Sequence, residues 1–184
     1  MNTVLETIKS RRSIRGYSTA QLSQETLDFI IEAGIYAPTT NNEQPWHFTV
    51  IQNPAVLEHI NVRTKELMLE SDIDWAKKMG SNAHFRVTYN APTLIIVSGR
   101  KDSTAWNVDC SAAIENMLIA SESLGVGSVW LGLLRFLLQD ENEVKALGIP
   151  DEYQPFYGVS FGYSSLNKKP VAPKRNMDVV NYIR

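Results

Sequence analysis

The sequence has 184 residues, of which 43% are hydrophobic and 21% are charged, a composition typical of a soluble globular protein. At this length a chain buries roughly 70% of its unfolded surface, so we expect one domain over residues 1–184 without disulfides or a structural metal. The single cysteine, Cys110, cannot form an internal disulfide, which excludes a disulfide-rich secreted scaffold. No apolar run approaches the ~20 residues that span a bilayer, and no secretory signal is recognisable. We therefore expect a cytoplasmic protein that does not bind a membrane.

Eighteen Lys and Arg residues against twenty Asp and Glu residues give a net charge of −2, which argues against a nucleic-acid-binding protein. The basic residues are nevertheless concentrated near the two ends of the chain. The N-terminal basic cluster comprises Lys9, Arg11, Arg12 and Arg15, and the C-terminal basic cluster comprises Lys168, Lys169, Lys174 and Arg175. Because acidic residues outnumber basic ones in the rest of the chain, we predict that the two clusters meet on a compact anion.

Apolar periodicity and capping residues predict the helices and strands. In chain order they are a helix that follows Ser23 and stops before Pro38, a strand at His47–Gln52, a helix at 54–70, a weakly periodic stretch up to Asn90, a buried strand at Thr93–Ser98, an Ala-rich helix that ends at Gly125, a strand at Ser128–Leu133, a helix at Asp140–Leu147 and a strand at Phe156–Tyr163. Helices intermixed with strands predict an α+β or α/β domain with a helix-flanked sheet.

Glycines in two predicted strands indicate a close approach to the backbone. In the last strand, Gly158, Ser160 and Gly162 leave one face nearly bare, so a helix or a ligand must lie against it. In the segment 125–133, the glycine spacing does not match a dinucleotide fingerprint, and a helix end followed by a strand explains the first two glycines. Gly132 lies inside an apolar strand, where it requires a close neighbour.

The segment Arg11–Arg15 is the first of two that could bind a ligand. Its three guanidinium groups are bidentate donors that match a phosphate, and the Ser13 hydroxyl adds a neutral donor. A solvated helix end, at which basic side chains complement the helix dipole, is the alternative. The absence of acidic residues between Glu6 and Glu25 supports the phosphate interpretation, and both remain open at this point.

The segment 38–46 is the second. Two prolines bracket Thr39, Thr40, Asn42 and Gln44, whose hydroxyls and amides both donate and accept hydrogen bonds. Such groups suit a planar heterocycle with carbonyls and ring nitrogens on its edges. An ordinary turn between a helix and a strand would use the same residue types.

Side chains for catalysis are scarce. Cys110 is interpreted as a buried structural thiol, and the three histidines, His47, His59 and His84, lack the spacing of a metal site or a catalytic triad. An anion site and an amide-rich loop without a nucleophile or base indicate that a cofactor carries the chemistry. We predict no catalytic side chain and no metal.

Taken in order, five segments of the chain resemble the FMN-dependent nitroreductase family. They are Arg11–Arg15, Ala37–Trp46, Asn90–Pro92 with Asp109 before an Ala-rich helix, Glu122–Gly132, and Phe161–Tyr163 with Pro173–Arg175. The resemblance covers nearly the whole chain, and only 61–89 is unmatched. It implies an α+β sandwich with a central mixed sheet flanked by helices, and a homodimer with one FMN at each end of the subunit interface.

The family pattern also implies a role for individual residues. Those that would hold the FMN phosphate and ribityl chain are Arg11, Arg12, Ser13 and Arg15 with Lys174 and Arg175; those that would come from the other subunit are Pro38, Thr39, Thr40, Asn42 and Gln44; and the backbone beside the flavin ring would be that of Leu131, Gly132 and Leu133. The chain departs from the pattern at Thr39 and Thr40, where serine is commoner, at Leu133, which some members replace with glycine, and at Asn176, where some members have a basic residue.

The resemblance implies an oxidoreductase that passes a hydride from NADH or NADPH through bound FMN to nitroaromatics, quinones or related small electron-poor acceptors by a ping-pong mechanism. A non-catalytic FMN-binding or regulatory protein on the same fold is the alternative. A nucleic-acid binder is disfavoured by the net charge and by the lack of aromatic residues among the basic ones.

Overall fold

The computed structural model describes residues 2–184, so residue 1 of the predicted domain lies outside the described part. Within it, the helices are α1 (Thr3–Ser10), α2 (Gln24–Ile35), α3 (Pro54–Glu70), α4 (Asp74–Gly80), α5 (Trp106–Ser123), α6 (Arg135–Leu138) and α7 (Glu141–Ala146), and the strands are β1 (Trp46–Ile51), β2 (Thr93–Arg100), β3 (Gly127–Leu131) and β4 (Tyr153–Gly162). Single 3₁₀ turns occupy Thr40–Asn42 and Gly132–Leu134. None of the helices in residues 2–184 is long and apolar enough to cross a bilayer.

The four strands form one sheet in the spatial order β1-β2-β4-β3. All neighbouring strands in it pair antiparallel. The α+β class is therefore confirmed, whereas the parallel pairing expected of a mixed sheet is limited, in the described residues, to one bridge between Ser13 and Ser128. The sequence indicates where strands lie but not their direction, because direction depends on the route that each connection takes over the sheet.

Helices cover both faces of the sheet, and the strand β2 is buried along its whole length except at Arg100. Leu94 and Ile96 face a core that α3 and α6 complete with residues such as Ile60 and Leu137. Ile95 and Val97 face the opposite core, to which α2 and α5 contribute Ile30, Ile114 and Met117. Alternation along one strand thus joins two hydrophobic layers.

Two predicted features of the chain are corrected by the structure. β3 ends at Leu131, and Gly132 and Leu133 lie in a 3₁₀ turn rather than in the strand. The short helices α4 and α6 occupy segments for which the sequence indicated no helix. With seven and four residues, they are too short for an apolar period of 3.6 residues to stand out.

The bare face of β4 is filled by the protein itself. A Cβ atom at Gly158 would overlap the side chain of Leu134, and one at Gly162 would lie 2.7 Å from Pro92 Cδ. Of the two alternatives raised by the sequence, a neighbouring helical segment rather than a ligand explains Gly158, since Leu134 ends the 3₁₀ turn before α6.

The segment 13–18 lies in an extended conformation between two other parts of the chain. Ile14 N donates to Ser128 O on β3 at 3.0 Å, and Ser18 N donates to Tyr163 O at 2.8 Å. Ser165 N donates back to Gly16 O at 3.1 Å. These backbone hydrogen bonds bring the N-terminal basic cluster beside both β3 and the chain that leaves β4.

Candidate functional site

Both basic clusters contribute to one cavity of about 370 Å³. The residues that line it are Arg11, Arg12, Ser13 and Arg15 on one side, and Pro170, Val171, Pro173 and Arg175 on the other. Four guanidinium groups around one cavity form a site for a compact anion, because each presents paired N–H donors in a plane. The two basic clusters therefore meet at one cavity, as their charge predicted. The backbone hydrogen bonds of segment 13–18 hold the N-terminal cluster in this place.

Not every basic residue reaches this cavity. Lys174 is exposed and does not line it, although its neighbour Arg175 does. Lys169 instead pairs with the Glu122 carboxylate at the end of α5, which also accepts a hydrogen bond from Ser10 Oγ at 2.7 Å. The C-terminal contribution to the site is therefore one arginine and its flanking proline-rich backbone.

Arg12 has a hydrogen-bonding donor without a protein acceptor. Its Nη1 donates to the carbonyl oxygens of Lys9 and Arg11, which fixes the side chain. Its Nε is buried, and within residues 2–184 no acceptor reaches it. A buried donor without an acceptor costs on the order of 1–3 kcal/mol, so an acceptor supplied by a ligand would fit this atom.

The turn at Gly132 borders open space. Leu131 is buried at the end of β3, whereas Gly132 is exposed, and a Cβ atom built on it would meet no atom within 4 Å. Within residues 2–184, no protein atom supplies the close neighbour predicted at Gly132. A rigid strand end with an uncovered backbone leaves room for a flat ring to approach.

The amide-rich loop 38–44 follows α2 in a strained conformation. Asn41, Asn42 and Gln44 have φ angles of 50°, 55° and 45°, in the left-handed region that asparagine tolerates better than most residues. Each such residue costs of order 1–3 kcal/mol, and the conformation persists only where its surroundings enforce it.

Two carboxylates enforce this conformation. Asp109, 4% exposed, accepts a hydrogen bond from Thr40 N at 3.2 Å to one oxygen and 3.3 Å to the other. Glu43 accepts from Thr104 N and from Thr104 Oγ1, both at 3.0 Å, and from the Ser103 hydroxyl. The bond from Ser103 and that from the Thr104 backbone hold the pKa of Glu43 below its usual value.

Neither carboxylate was predicted from the sequence as part of the site. Asp109 lies 69 residues from Thr40, so no local pattern could link them. Glu43 offered a signal, because it is the one charged residue in an otherwise uncharged polar segment. Within the loop, Gln44 Nε2 donates to Asn42 Oδ1 at 3.1 Å, and Gln44 N donates to Thr39 Oγ1 at 3.3 Å.

The loop contacts the first turn of α5, whereas the basic segment contacts the middle and the last turn of this helix. Asp109 is in the first turn of this helix and Glu122 in its last, and the helical rise of 1.5 Å per residue separates them by roughly 20 Å. The loop is attached to Asp109, whereas Ser10, next to the basic segment, is attached to Glu122. One chain therefore brings Arg11–Arg15 and Arg175 together beside β3 but does not add the loop to them.

Cys110 and the histidines lie outside this arrangement. Burial raises the pKa of the Cys110 thiol to about 12, and its Sγ lies 3.6 Å from Ser98 O, so the predicted buried thiol is confirmed. His47 packs against Tyr153 with ring centroids 5.0 Å apart, and His59 Nε2 lies 2.7 Å from Glu143 Oε2. Residues 2–184 contain no grouping of histidine, cysteine and carboxylate side chains that could hold a metal ion.

The known proteins to which this chain is similar indicate one family. The nitroreductase family model matches residues 8–163. A protein from Archaeoglobus fulgidus with the provisional name NADH dehydrogenase/NAD(P)H nitroreductase is 38% identical over 173 residues, which cover 89% of this chain and 86% of that one. An FMN reductase (NADPH) from Bacillus subtilis is 28% identical over 190 residues, with 95% of this chain and 72% of that protein covered.

A solved structure with a fold similar to that of this chain indicates the same family. The nitroreductase with bound FMN from Bacteroides fragilis superposes with a TM-score of 0.93 at 34% identity, and all of both chains is covered. The family model spans most of this chain, and the fold of this chain matches that of the solved structure over the full length. The chain therefore belongs to the nitroreductase family.

Proposed function

We propose that this protein is an FMN-dependent oxidoreductase that uses NADH or NADPH to reduce nitroaromatics, quinones or related small electron-poor acceptors by a ping-pong mechanism. The observation that carries the proposal is the cavity lined by four arginines, on a segment that is hydrogen-bonded to β3, the strand that ends at the open space beside Gly132. When bound, FMN would supply the redox chemistry, which is the transfer of a hydride from the reduced nicotinamide to the acceptor.

The chain's own residues would bind and orient the cofactor. Arg11, Arg12, Ser13, Arg15 and Arg175 would hold the phosphate, with the unpartnered Arg12 Nε as one donor. Lys174 would add only long-range attraction, because it does not line the cavity. The backbone at Leu131, Gly132 and Leu133 would lie along the ring, where the missing Cβ at Gly132 leaves space.

A homodimer is part of this proposal, because one chain separates the amide-rich loop from the basic cavity. The residues that a second copy would contribute are Pro38, Thr39, Thr40, Asn42 and Gln44. Exposed apolar side chains offer a surface for that copy: α1 buries none of its residues, and Val4 on it is 62% exposed, while Tyr36 after α2 is 78% exposed. The C-terminal segment likewise exposes Met177 and Ile183, and apolar exposure of this extent is typical of an interaction surface.

No side chain is proposed as a catalytic acid or base. Hydride transfer to a flavin requires positioning rather than proton abstraction by the protein. The pKa of Cys110, raised to about 12 by burial, leaves almost no thiolate near neutral pH. The contribution of the protein is accordingly the electrostatic capture of the phosphate and the geometry of the open side of the ring.

The first experiment is the visible absorption spectrum of the purified protein, followed by anaerobic addition of NADH or NADPH. We expect a flavin spectrum that the reduced nicotinamide bleaches and that a nitroaromatic or a quinone restores. Flavin that binds but is not bleached would favour the non-catalytic alternative, and a protein that binds no FMN would contradict both. The cytoplasmic location predicted from the sequence stays a prediction, which cell fractionation tests.

The second experiment tests the shared site by complementation. A variant with Arg11→Ala and Arg175→Ala is mixed with the Asp109→Ala variant under conditions that exchange subunits. In the heterodimer one of the two sites has an intact cavity and an intact loop, so FMN titration should recover sites that bind FMN more tightly than either homodimer does. A flavin-saturated monomer in sedimentation would contradict the proposal of a shared site.

A further inference from the structure

Three side chains form a cation-aromatic platform on α4 and α6. The platform comprises Trp75, Arg135 and Phe136. The Arg135 guanidinium carbon lies 5.8 Å from the centre of the Trp75 ring and 5.3 Å from that of the Phe136 ring. The two rings meet edge to face with centroids 6.2 Å apart. An arginine that contacts two rings is held by cation–π attraction, which restricts its position without using its N–H donors.

The platform lies beside the open space at Gly132. Gly132 begins a 3₁₀ turn, and Arg135 follows it by three residues at the start of α6. In a 3₁₀ turn, residues three apart project from the same side. Burial agrees, because Gly132 and Arg135 are exposed whereas Leu134 between them is buried. The Arg135 side chain therefore projects on the side of the turn where the proposed flavin ring would be approached.

Arg135 has no acidic partner within residues 2–184, in contrast to three other arginines of the chain. Arg63 donates to Asp140, Arg86 to Glu58 and Arg100 to Asp102. For Arg135, ring contacts are the side-chain interactions found within residues 2–184. Its N–H groups thus remain free for an anion in the plane of the guanidinium.

Trp75 adds a second observation that points to a ligand. It is 48% exposed, although a tryptophan gains most from burial. Its exposed ring and the guanidinium stacked near it present an apolar surface beside a cation. Such a surface matches a planar molecule that bears a negative charge at one edge.

We propose that Arg135 binds an anionic group, a carboxylate or a phosphate, of the planar substrate that reaches the flavin. This inference rests on the proposed function and specifies it, because substrates would be selected by charge as well as by stacking. The anion has two possible sources, the electron acceptor and the phosphates of the nicotinamide nucleotide. The two half-reactions of a ping-pong enzyme separate these sources.

The test uses the FMN-loaded protein and the variant Arg135→Gln. The acceptors are nitrobenzene and 4-nitrobenzoate, which share the nitroarene and differ by a carboxylate, and each variant is compared with the wild type for the same acceptor. Loss of a charge-assisted contact should raise KM for 4-nitrobenzoate roughly ten- to a hundredfold, with nitrobenzene changed less than about twofold. Arg135→Lys, which retains the charge without the planar stack, should restore part of the preference.

Matched variants separate a specific role from a general one. Lys145→Gln removes a positive charge from α7, outside the platform, and should leave both acceptors unaffected. Trp75→Leu keeps the cation but removes a ring, and should weaken the preference for the anionic acceptor without abolishing it. Bleaching of the flavin by NADH and NADPH, followed by stopped flow, is measured for every variant.

The outcomes are distinct. A selective loss with 4-nitrobenzoate assigns the anion to the acceptor, and a selective weakening of NADH or NADPH binding in the bleaching step assigns it to the nucleotide. Equal losses of activity with the two acceptors and of rate in the bleaching step would overturn the inference, and so would no change in any of them. In either case, FMN binding and bleaching by the wild type would still support the proposed function. Failure of the wild type to bind FMN or to be bleached would overturn the proposed function itself, and the inference with it.

Discussion

The basic cavity and the amide-rich loop differ in how they are prepared for a ligand. The cavity is built on an extended segment held by backbone hydrogen bonds to β3 and to the chain after β4. It brings together cationic groups, one of which has an N–H donor without a protein acceptor. The loop is built from three left-handed residues, and two carboxylates hold it from outside. The cavity is therefore suited to a charged group, whereas the loop offers only shape and short-range hydrogen bonds. Substitutions in the two regions should therefore weaken ligand binding in different ways.

The largest effect is expected in the cavity. Replacement of Arg11 and Arg175 together by alanine should weaken FMN binding by about a hundredfold or more, because each substitution would remove a proposed charge-assisted contact to the phosphate. Riboflavin, which lacks the phosphate, should bind nearly as it does to the wild type. Fluorescence titration measures both affinities. Lys174→Ala is the matched control, since it removes an equal charge from the neighbouring residue and should change FMN affinity only a fewfold. Equal losses for FMN and riboflavin would show that the phosphate lies elsewhere.

A smaller and less selective loss is expected from the loop. Asp109→Ala leaves Thr40 N without its acceptor and releases the strained conformation, so FMN affinity should fall about tenfold. Riboflavin affinity should fall by a similar factor, because the loop is proposed to contact parts that both ligands share. Asp109→Asn retains an oxygen acceptor and should lose less. A variant that loses FMN but retains riboflavin would place the effect on the phosphate and contradict the distinction between the two regions.

The loop should also respond to acid. Hydrogen bonds from Ser103 and Thr104 lower the pKa of Glu43 in the folded protein below 4.5, so the ionised carboxylate stabilises the fold above about pH 4.5. That stabilisation is lost as the pH falls through the lowered pKa. Glu43→Gln should therefore lower Tm by a few degrees at neutral pH, and the difference from the wild type should narrow in acid. A difference that is constant from neutral pH to pH 3 would contradict this role for the carboxylate charge.

The smallest effect is expected at Cys110, the residue after Asp109. Its pKa is raised to about 12, and it lies in the core rather than in either region. Cys110→Ala should keep the rate of flavin bleaching by NADH or NADPH within about tenfold of the wild type, because a general acid or base contributes ~10²- to 10⁴-fold. Stopped flow isolates this step. A loss above a thousandfold with FMN still bound would make the thiol a participant in the chemistry.

Much of the fold followed from local signals in the sequence. Ser23 caps α2 through its side chain, and Asp140 does the same for α7. The apolar run of β2 and the glycine after α5 were also sufficient to locate these elements. Such signals act within a few residues, so they survive without knowledge of the tertiary contacts. The helices α4 and α6 were missed because they are stabilised by packing rather than by an extended periodic pattern.

The sequence by itself determined which chemical groups this protein has for a ligand: two basic clusters in an acidic chain and a run of hydroxyls and amides. Only the tertiary structure decided that Arg175 rather than Lys174 lines the cavity, that Gly132 turns away from the strand, and that Asp109 holds Thr40. The reason is physical. Charge and hydrogen-bonding capacity belong to the individual residue, whereas the direction in which a side chain projects depends on backbone contacts between segments that lie far apart in the chain.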